Sequence, residues 1–188
     1  MKEKLAKGAS VADVGCGHGS STILMAKAFA KSRFFGFDYH SGSIEYARHV
    51  AGRDGLLDQI NFEVASSKSY PVNEGYNLVT FFDCLHDMGD PKGAAAHVLE
   101  SLKKDGTWMI VEPFANDTPE ENHNPVGRIY YSASTMICTP ASLAQEVGTA
   151  LGAQAGEDRI RDVVTAAGFK RFRRAAQTPF NLVFEARA

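Results

Sequence analysis

The sequence predicts an α/β protein with a doubly wound, seven-stranded, mostly parallel sheet that closes with a C-terminal antiparallel hairpin. Short apolar runs alternate with segments of helical periodicity along the chain, which is typical of strands joined by crossover helices. A glycine-rich turn lies between the first apolar run and the first helical segment. Only four residues, 176–179, separate the last two runs. That spacing is too short for a crossover and favours a hairpin.

The predicted strands are short apolar or β-branched runs bounded by turn residues. They are Ser10–Val14, Arg33–Asp38, Ile60–Ala65, Tyr76–Asp83, Thr107–Glu112, Phe169–Ala175 and Phe180–Arg187. The fourth run is continuously apolar before its final acid, as expected of a central strand buried on both faces. Trp108 alternates with buried neighbours in the fifth strand, so we predict that it lies in the core.

The predicted helices have apolar residues at helical spacing or begin at a residue that favours a helix start. They are Ser20–Ala30, Ser41–Gly52, Pro91–Lys104, Val126–Met136, Pro140–Leu151 and Asp158–Ala167. Ser41 or Ser43 is the predicted N-cap of the second helix. No helix of useful length is expected before the first strand. The chain is therefore interpreted as a single domain over residues 1–188, truncated at its N-terminus.

An insertion rich in Pro, Asn and Ser occupies residues 114–156. A segment of that length between strands usually carries substrate contacts or an oligomer surface. We predict a lid or a surface for a homodimer, with plain packing as the alternative. Tyr130, Tyr131 and Met136 are candidates to line an apolar substrate pocket. His123 and Asn124 are interpreted mainly as turn formers, with substrate contact as the second reading.

The charge of the chain is nearly balanced, with 20 Lys and Arg against 22 Asp and Glu and a net charge of −2. With 44% hydrophobic residues the chain can bury a sizeable core, which excludes wholesale disorder. The balance argues against nucleic acid or a membrane surface as the main partner. One basic run is interpreted as a solvated face. Its members are Lys170, Arg171, Arg173 and Arg174.

The three cysteines are widely spaced and form no CxxC or Cys/His ligand pattern. Neither a disulfide framework nor a structural zinc site is predicted, and a reducing compartment fits best. No apolar run reaches about 18 residues, and the N-terminal stretch MKEKLAKGAS lacks the apolar core of a signal peptide. We therefore expect a cytoplasmic protein.

The glycine loop Asp13-Val14-Gly15-Cys16-Gly17-His18-Gly19 follows the first predicted strand and precedes a helix. This order brings backbone N–H groups and a helix N-terminus to one place, which suits the charged part of a nucleotide-like ligand. A dinucleotide fingerprint requires its third glycine at position 20, where this chain has Ser20. Asp13 would also repel a pyrophosphate, whereas it would attract a cationic ligand.

Together with Asp38 at the end of the second strand, this loop resembles the first motif, acid-x-Gly-x-Gly-x-Gly, of class I S-adenosylmethionine-dependent methyltransferases. The resemblance covers nearly the whole chain and implies a Rossmann-like methyltransferase fold. It also implies S-adenosylmethionine as cofactor and S-adenosylhomocysteine as product. By this resemblance Asp13 assists the ammonium group and Asp38 binds both ribose hydroxyls.

The resemblance implies further cofactor contacts. Gly15 and Gly17 would let the backbone approach the ligand, and Tyr39 would lie near the adenine. Ser66 or Ser67 stands where the family often has an acid that reads the adenine amino group. The full set of cofactor-binding candidates is Asp13, Gly15, Cys16, Gly17, Asp38, Tyr39, Ser66, Ser67 and Asp83. The thiol of Cys16 is interpreted as a small loop filler rather than a reactive group.

The candidate catalytic residues follow the fourth and fifth strands, whose carboxyl ends share one rim of an open sheet. Neighbouring strands lie about 4.8 Å apart, so His86 and Glu112 can meet. A histidine held by a carboxylate is a competent general base, because its unperturbed pKa is about 6.5. The alternative is that His86 only satisfies backbone groups of a turn.

The segments LHDMGDP and LKKDGTWMIVEP also resemble the small-molecule O-methyltransferases of the plant and hydroxyindole type. That resemblance implies His86 as base and Glu112 as its orienting partner. Met88 stands where that family has tryptophan, and the family's N-terminal dimerisation domain is missing, so the substrate class does not transfer. The chain resembles, in addition, bacterial methyltransferase domains that follow a winged-helix segment.

The same rim offers residues for other chemistries. Asp83, Asp87 and Asp90 offer hard oxygen ligands for magnesium, as in catechol-type methyltransferases, but their spacing does not match, and no metal is predicted. A nicotinamide oxidoreductase is disfavoured by Ser20 and Asp13.

Two functions therefore follow from the sequence. The first is S-adenosylmethionine-dependent methyl transfer to a small-molecule acceptor, with a hydroxyl as the expected group. The second is a regulatory module that binds S-adenosylmethionine or S-adenosylhomocysteine without turnover.

Overall fold

The computed structural model describes all 188 residues, and its seven strands form one mixed sheet. The strands are β1 (Ser10–Val14), β2 (Arg33–Asp38), β3 (Ile60–Val64), β4 (Tyr76–Phe82), β5 (Leu102–Pro113), β6 (Arg171–Gln177) and β7 (Asn181–Arg187). Their order in the sheet is β3-β2-β1-β4-β5-β7-β6. Because β6 and β7 pair antiparallel, the predicted fold class is confirmed together with its closing hairpin.

Seven α-helices accompany the strands. They are α1 (Lys2–Lys7), α2 (Ser20–Ala28), α3 (Ser41–Arg53), α4 (Pro91–Ser101), α5 (Pro125–Ala133), α6 (Thr139–Leu143) and α7 (Gly156–Ala166). Leu85–Asp87 and Glu120–Asn122 form 3₁₀ turns, and Ser134–Cys138 is a π-helix. None of the helices combines the length and the apolar character that a membrane span requires.

The chain divides into two compact units. The first contains Met1–Phe82 and Glu100–Trp108, and the second contains Asp83–Leu99 and Met109–Ala188. The single domain over residues 1–188 stays a prediction.

In the first unit β1 lies between β2 and β4, and all of these strands are parallel. The register places Asp13 beside both Gly36 and Thr80. Phe81 and Trp108 pack edge to face with ring centroids 5.1 Å apart, and neither ring is exposed. The predicted core position of Trp108 is therefore confirmed.

The second unit includes the β6–β7 hairpin and α7. Phe172 and Phe184 stack across the hairpin with centroids 5.0 Å apart, and the Arg161 guanidinium lies 4.7 Å from the Phe172 ring. On the predicted basic face, Arg173 pairs with Glu185 at 2.9 Å and Arg174 pairs with Glu157 at 2.6 Å. Half of that basic run is thus compensated by neighbouring acids, which fits the interpretation as a solvated face.

Two helices differ from the sequence prediction at or near their N-terminal ends. No helix of useful length was expected before β1, but a six-residue helix, α1, precedes it and buries Leu5. The N-cap of α3 is His40 rather than a serine, because its Nδ1 accepts a hydrogen bond from the Ser43 backbone N–H at 3.2 Å. Asp38 accepts from the backbone N–H of His40 at 2.9 Å and so holds this residue in position to cap the helix.

The boundary between α4 and β5 lies earlier in the chain than the sequence predicts. The helix ends at Ser101, where the buried Ser101 hydroxyl lies 2.7 Å from the Tyr70 hydroxyl, and the strand begins at Leu102. Gly106 immediately precedes the predicted start of the fifth strand at Thr107, but it lies within β5. A Cβ atom there would come within 2.9 Å of the Tyr76 carbonyl oxygen, so glycine permits a close approach of two backbones.

The predicted helix over Pro140–Leu151 is wrong beyond Leu143. The backbone turns left-handed at Val147 (φ 73) and Ala150 (φ 53), which ends helical geometry. The Ser142 hydroxyl stabilises this turn by accepting from the Ala150 backbone N–H at 3.0 Å. On the N-terminal side, the π-helix joins α5 directly to α6, so the predicted break between the two helices is absent.

Gly17 and Gly19 provide a matched test of the glycine loop, since both have positive φ (51 and 75). A Cβ atom on Gly17 would meet nothing within 4 Å, whereas one on Gly19 would lie 2.5 Å from the Phe62 ring. Gly17→Ala should therefore cost only the backbone strain of about 1–2 kcal/mol. Gly19→Ala should cost about 1–3 kcal/mol more, because the core must also accommodate a clash. Urea unfolding of both variants measures this difference, and equal losses would contradict the packing argument.

Candidate active site

The glycine loop is fastened to the end of β2 by its own backbone. The N–H groups of Gly15 and Cys16 donate to the Phe37 carbonyl oxygen at 2.8 and 3.1 Å. The N–H of Gly17 donates to Oδ2 of Asp38 at 2.9 Å. The structure therefore brings the predicted glycine loop and the predicted ribose-binding acid into direct contact.

Asp38 keeps acceptor capacity for a ligand. One of its oxygens accepts from Gly17 and the other from the His40 N–H, and the residue is half-buried. A carboxylate has about four lone-pair sites, so about two remain for hydroxyl donors. Tyr39 follows directly and is 80% exposed, which leaves its ring available to cover a flat group.

Asp13 is in a different environment from Asp38. It is buried, and its Oδ2 accepts from the Ser21 and Thr22 hydroxyls at 2.7 and 2.6 Å, while Oδ1 accepts from Thr80 at 2.9 Å. Burial raises the pKa of this carboxyl, against the effect of the three hydroxyl donors. Asp13 thus ties β1 to the first turn of α2 and to β4, and its contact with an ammonium group stays a prediction.

The remaining cofactor candidates differ in burial and in their hydrogen-bond partners. Cys16 is buried, and burial raises the pKa of its thiol, in keeping with a loop filler. Ser66 is exposed and accepts from the Lys68 N–H at 3.2 Å, and Ser67 is half-buried. Asp83 belongs to the second unit, has φ 49, and accepts from the Asn181 side chain at 3.3 Å. Their cofactor contacts stay predictions.

His86 and Glu112 meet in the second unit, as their strand-end positions predict. Nδ1 of His86 lies 2.5 Å from Oε2 of Glu112, and the two residues are 4% and 3% exposed. The other carboxylate oxygen accepts from the Leu85 backbone N–H at 3.0 Å. Glu112 therefore fixes both the orientation of the imidazole and the 3₁₀ turn that carries it.

A second carboxylate lies against the other nitrogen of the His86 ring. Nε2 of His86 lies 3.2 Å from Oδ1 of Asp87. Burial alone would lower the pKa of His86, but the nearby carboxylates of Asp87 and Glu112 outweigh burial and raise the pKa to about 11. In this arrangement the imidazole carries a proton on each nitrogen at neutral pH.

The three aspartates considered for magnesium do not share a site. Asp83 binds Asn181, Asp87 binds His86, and Asp90 accepts from the Gly93 N–H at 2.8 Å at the start of α4. Potential ligands converge instead at His86, Asp87 and Cys138.

The insertion over residues 114–156 forms hydrogen bonds with the turn that carries His86. The sequence did not indicate these contacts. The Ser142 hydroxyl donates to the Met88 carbonyl oxygen and the Gln145 amide to that of Asp87, both at 2.8 Å. The Gly89 N–H donates to the Gln145 side-chain oxygen at 3.0 Å. These partners are more than 50 residues apart in the chain, so no local pattern could have revealed them. A lid or homodimer role of this insertion stays a prediction.

An open cavity of about 660 Å³ lies beside α5, and Tyr131 lines it together with His123 and Arg128. Tyr130 instead donates its hydroxyl to the Phe180 carbonyl oxygen at 2.7 Å, and Met136 is 79% exposed. Of the three predicted pocket residues, only Tyr131 therefore contributes to this cavity. Asn124 forms a turn, since its side chain accepts from the Gly127 N–H and caps α5.

Comparison with known proteins agrees with this architecture. The model of a methyltransferase domain family matches residues 5–178, and the chain belongs to that family. S-adenosylmethionine is the cofactor that this membership indicates. The chain is 28% identical over 111 residues to the mitochondrial ubiquinone biosynthesis O-methyltransferase of Candida albicans, an alignment that covers 57% of this chain and 33% of that protein.

Two solved structures show the same fold. The structure of PigF with SAH has a TM-score of 0.74 at 16% identity, with 95% of this chain and 50% of that chain covered. The mitomycin 7-O-methyltransferase MmcR has a TM-score of 0.73 at 19% identity, with 98% and 50% covered. The chain therefore spans about half the length of these structures and a third of the Candida protein.

The two acids of the first unit should differ in what their removal costs. Asp13→Ala leaves the buried Thr22 hydroxyl without its acceptor and leaves the Thr80 hydroxyl with only the Ala12 carbonyl oxygen at 3.4 Å. An unsatisfied buried group costs about 1–3 kcal/mol. Asp38→Ala should change the free energy of unfolding by less than about 1 kcal/mol, because water can reach the N–H groups it leaves behind. Chemical denaturation tests this order, and a larger loss for Asp38→Ala would contradict it.

Proposed function

We propose that this protein transfers a methyl group from S-adenosylmethionine to a hydroxyl group of a small molecule. The observation that carries the proposal is the buried His86–Glu112 pair, an imidazole oriented by a carboxylate in a chain of the methyltransferase family. The O-methyltransferase relative and structure described above support a hydroxyl as the acceptor group.

The first unit fits the cofactor. The positive φ of Gly17 and the open space around it allow a ligand to approach the backbone, and Asp38 beside it keeps acceptors for a diol. Once bound, S-adenosylmethionine supplies a methyl group on a positively charged sulfur. In the proposal, Asp38 binds the ribose, Tyr39 covers the adenine, and the glycine loop accommodates the methionine portion.

His86 is the proposed general base. It would accept the proton of the acceptor hydroxyl at Nε2, while Glu112 stabilises the resulting imidazolium through Nδ1. Because Nε2 lies against Asp87, the proposal requires Asp87 to withdraw and His86 to lose its proton before the acceptor is deprotonated. General-base catalysis of this kind typically contributes about 10²–10⁴-fold to a rate.

The first test is His86→Gln. We expect kcat for methyl transfer to a panel of phenols and hydroxylated acids to fall about 10²–10⁴-fold, because no base remains. The affinity for S-adenosylmethionine, measured by calorimetry, should not change, because the proposed cofactor contacts belong to the first unit. The exposed His49 of α3, substituted as His49→Gln, is the matched control and should retain wild-type kcat. An active His86→Gln enzyme would exclude this histidine as the base.

The second test concerns Asp38. Asp38→Ala should weaken S-adenosylmethionine binding about 10–100-fold, since two hydrogen bonds from hydroxyls to a charged acceptor are lost at about 1.5–3 kcal/mol each, partly replaced by water. Titration calorimetry measures the affinity, and circular dichroism confirms that the variant is folded. Wild-type affinity in the folded variant would show that the diol is bound elsewhere.

One observation favours the second candidate function, a module that binds the cofactor without turnover. Carboxylates occupy both ring nitrogens of His86, and with a pKa of about 11 the ring is protonated at neutral pH and accepts no further proton. Tight S-adenosylmethionine and S-adenosylhomocysteine binding by the wild-type protein, with no methyl transfer to any acceptor of the panel, would support the module.

A further inference from the structure

We propose that His86, Asp87 and Cys138 form a binding site for a divalent ion of the zinc class. One ligand atom from each residue lies within 4.8 Å of the others. All three residues belong to the second unit, where His86 and Cys138 are buried and Asp87 is half-buried. The site thus offers a nitrogen, an oxygen and a sulfur ligand in a place largely closed to bulk water.

The spacing of the ligand atoms is near that of a tetrahedral site. With metal–ligand bonds of about 2.0–2.3 Å, ligands of tetrahedral zinc lie roughly 3.5 Å apart. Nε2 of His86 and Oδ1 of Asp87 are already 3.2 Å apart. The sulfur of Cys138 lies within 4.8 Å of the ligand atoms of both residues. Metal binding therefore requires the widest pair of ligand atoms, at most 4.8 Å apart, to approach by about 1.3 Å through side-chain rotation.

Glu112 supplies what a metal-binding histidine needs behind it. Histidines that bind metals usually donate their other ring N–H to a carboxylate, which fixes the tautomer and makes the ring a better ligand. Nδ1 of His86 lies 2.5 Å from Oε2 of Glu112, so one ring proton is held there. Metal binding would displace the proton from Nε2, and the lone pair freed in this way would be directed at the proposed site.

A π-helix places the sulfur ligand. Cys138 is the last residue of Ser134–Cys138, where one wide turn interrupts an otherwise α-helical run from α5 to α6. Such single π-turns occur frequently at functional sites. This wide turn and the carboxylate behind His86 are two independent local features that support the same site.

The donor set selects the ion. Magnesium and calcium prefer oxygen ligands throughout, whereas thiolate and imidazole suit zinc and its neighbours in the first transition row. Three protein ligands leave a fourth position for water or another ligand. The cysteine pattern of the sequence did not predict this site, because Cys138 is distant in the chain from His86 and only the fold brings them together.

The ion would bind to the same atom that the proposed function requires. A metal bound to Nε2 removes the lone pair that would accept a proton, so metal binding and general-base catalysis by His86 exclude each other. This consequence rests on the proposed function, whereas the site itself does not. The inference therefore makes zinc-class ions inhibitors of methyl transfer.

Cobalt(II) is the probe for the test, because its bond to a thiolate gives a sulfur-to-metal charge-transfer band. Titration of the reduced, metal-free full chain should produce that band with an endpoint at one equivalent. Cys138→Ser should abolish the band and weaken Zn²⁺ binding, measured by competition with a chelator, at least tenfold. The matched control is Cys84→Ser, a half-buried thiol of the same unit, which should keep the wild-type band.

A second variant tests the carboxylate behind the ring. Glu112→Gln should keep the cobalt band and weaken Zn²⁺ binding about 10–100-fold, the usual loss for such a partner. The inference is overturned if wild-type protein binds cobalt without the band, if Cys138→Ser keeps it, or if Cys84→Ser loses it. The measurement requires neither S-adenosylmethionine nor an acceptor. A protein that never turns over would still give the band, so failure of the proposed function remains distinguishable.

Discussion

The hydrogen bond between His86 and Glu112 joins two buried groups, and burying either one in its charged form without a partner would be costly. Removing a carboxylate from water costs several kcal/mol, and this cost is offset only by close partners of good geometry. Glu112 has two such partners, the imidazole on one oxygen and the Leu85 N–H on the other. The 3₁₀ turn is therefore held in place by the same acid that orients the ring, and a change at Glu112 alters both.

Asp13 shows how the first unit solves a similar problem with neutral groups. Three hydroxyls surround this buried carboxylate, and none of them carries a charge. Burial therefore prevails and raises the pKa of Asp13, whereas the two carboxylates around His86 prevail over burial and raise the pKa of that ring. Two acids at comparable strand positions thus have different consequences. One fixes the packing of three elements, and the other sets the protonation state of a candidate catalytic group.

The sequence predicted most of the sheet because each strand carries a local signal. β1 and β2 have their predicted bounds, whereas β5 begins at Leu102 instead of Thr107, because the glycine at position 106 weakens the local strand signal. The pairing of His86 with Glu112 followed from strand ends that share a rim. Asp87, Cys138 and Gln145 were not recognised as partners of one turn, because the insertion folds back through contacts between residues far apart in sequence. The periodicity of apolar residues indicates which face of a segment is buried, but it does not indicate which other segment packs against that face.

Nε2 of His86 is the point at which the possible roles of the second unit compete. In the structure a carboxylate lies against it, the proposed base requires it to be free, and the proposed metal site occupies it. Glu112 remains behind the ring in all three states, so the competition is decided by Asp87 and by whatever enters from the open side. Because Gln145 and Ser142 of the insertion donate to the carbonyl oxygens of Asp87 and Met88, the insertion fixes the backbone of the residue that lies against Nε2.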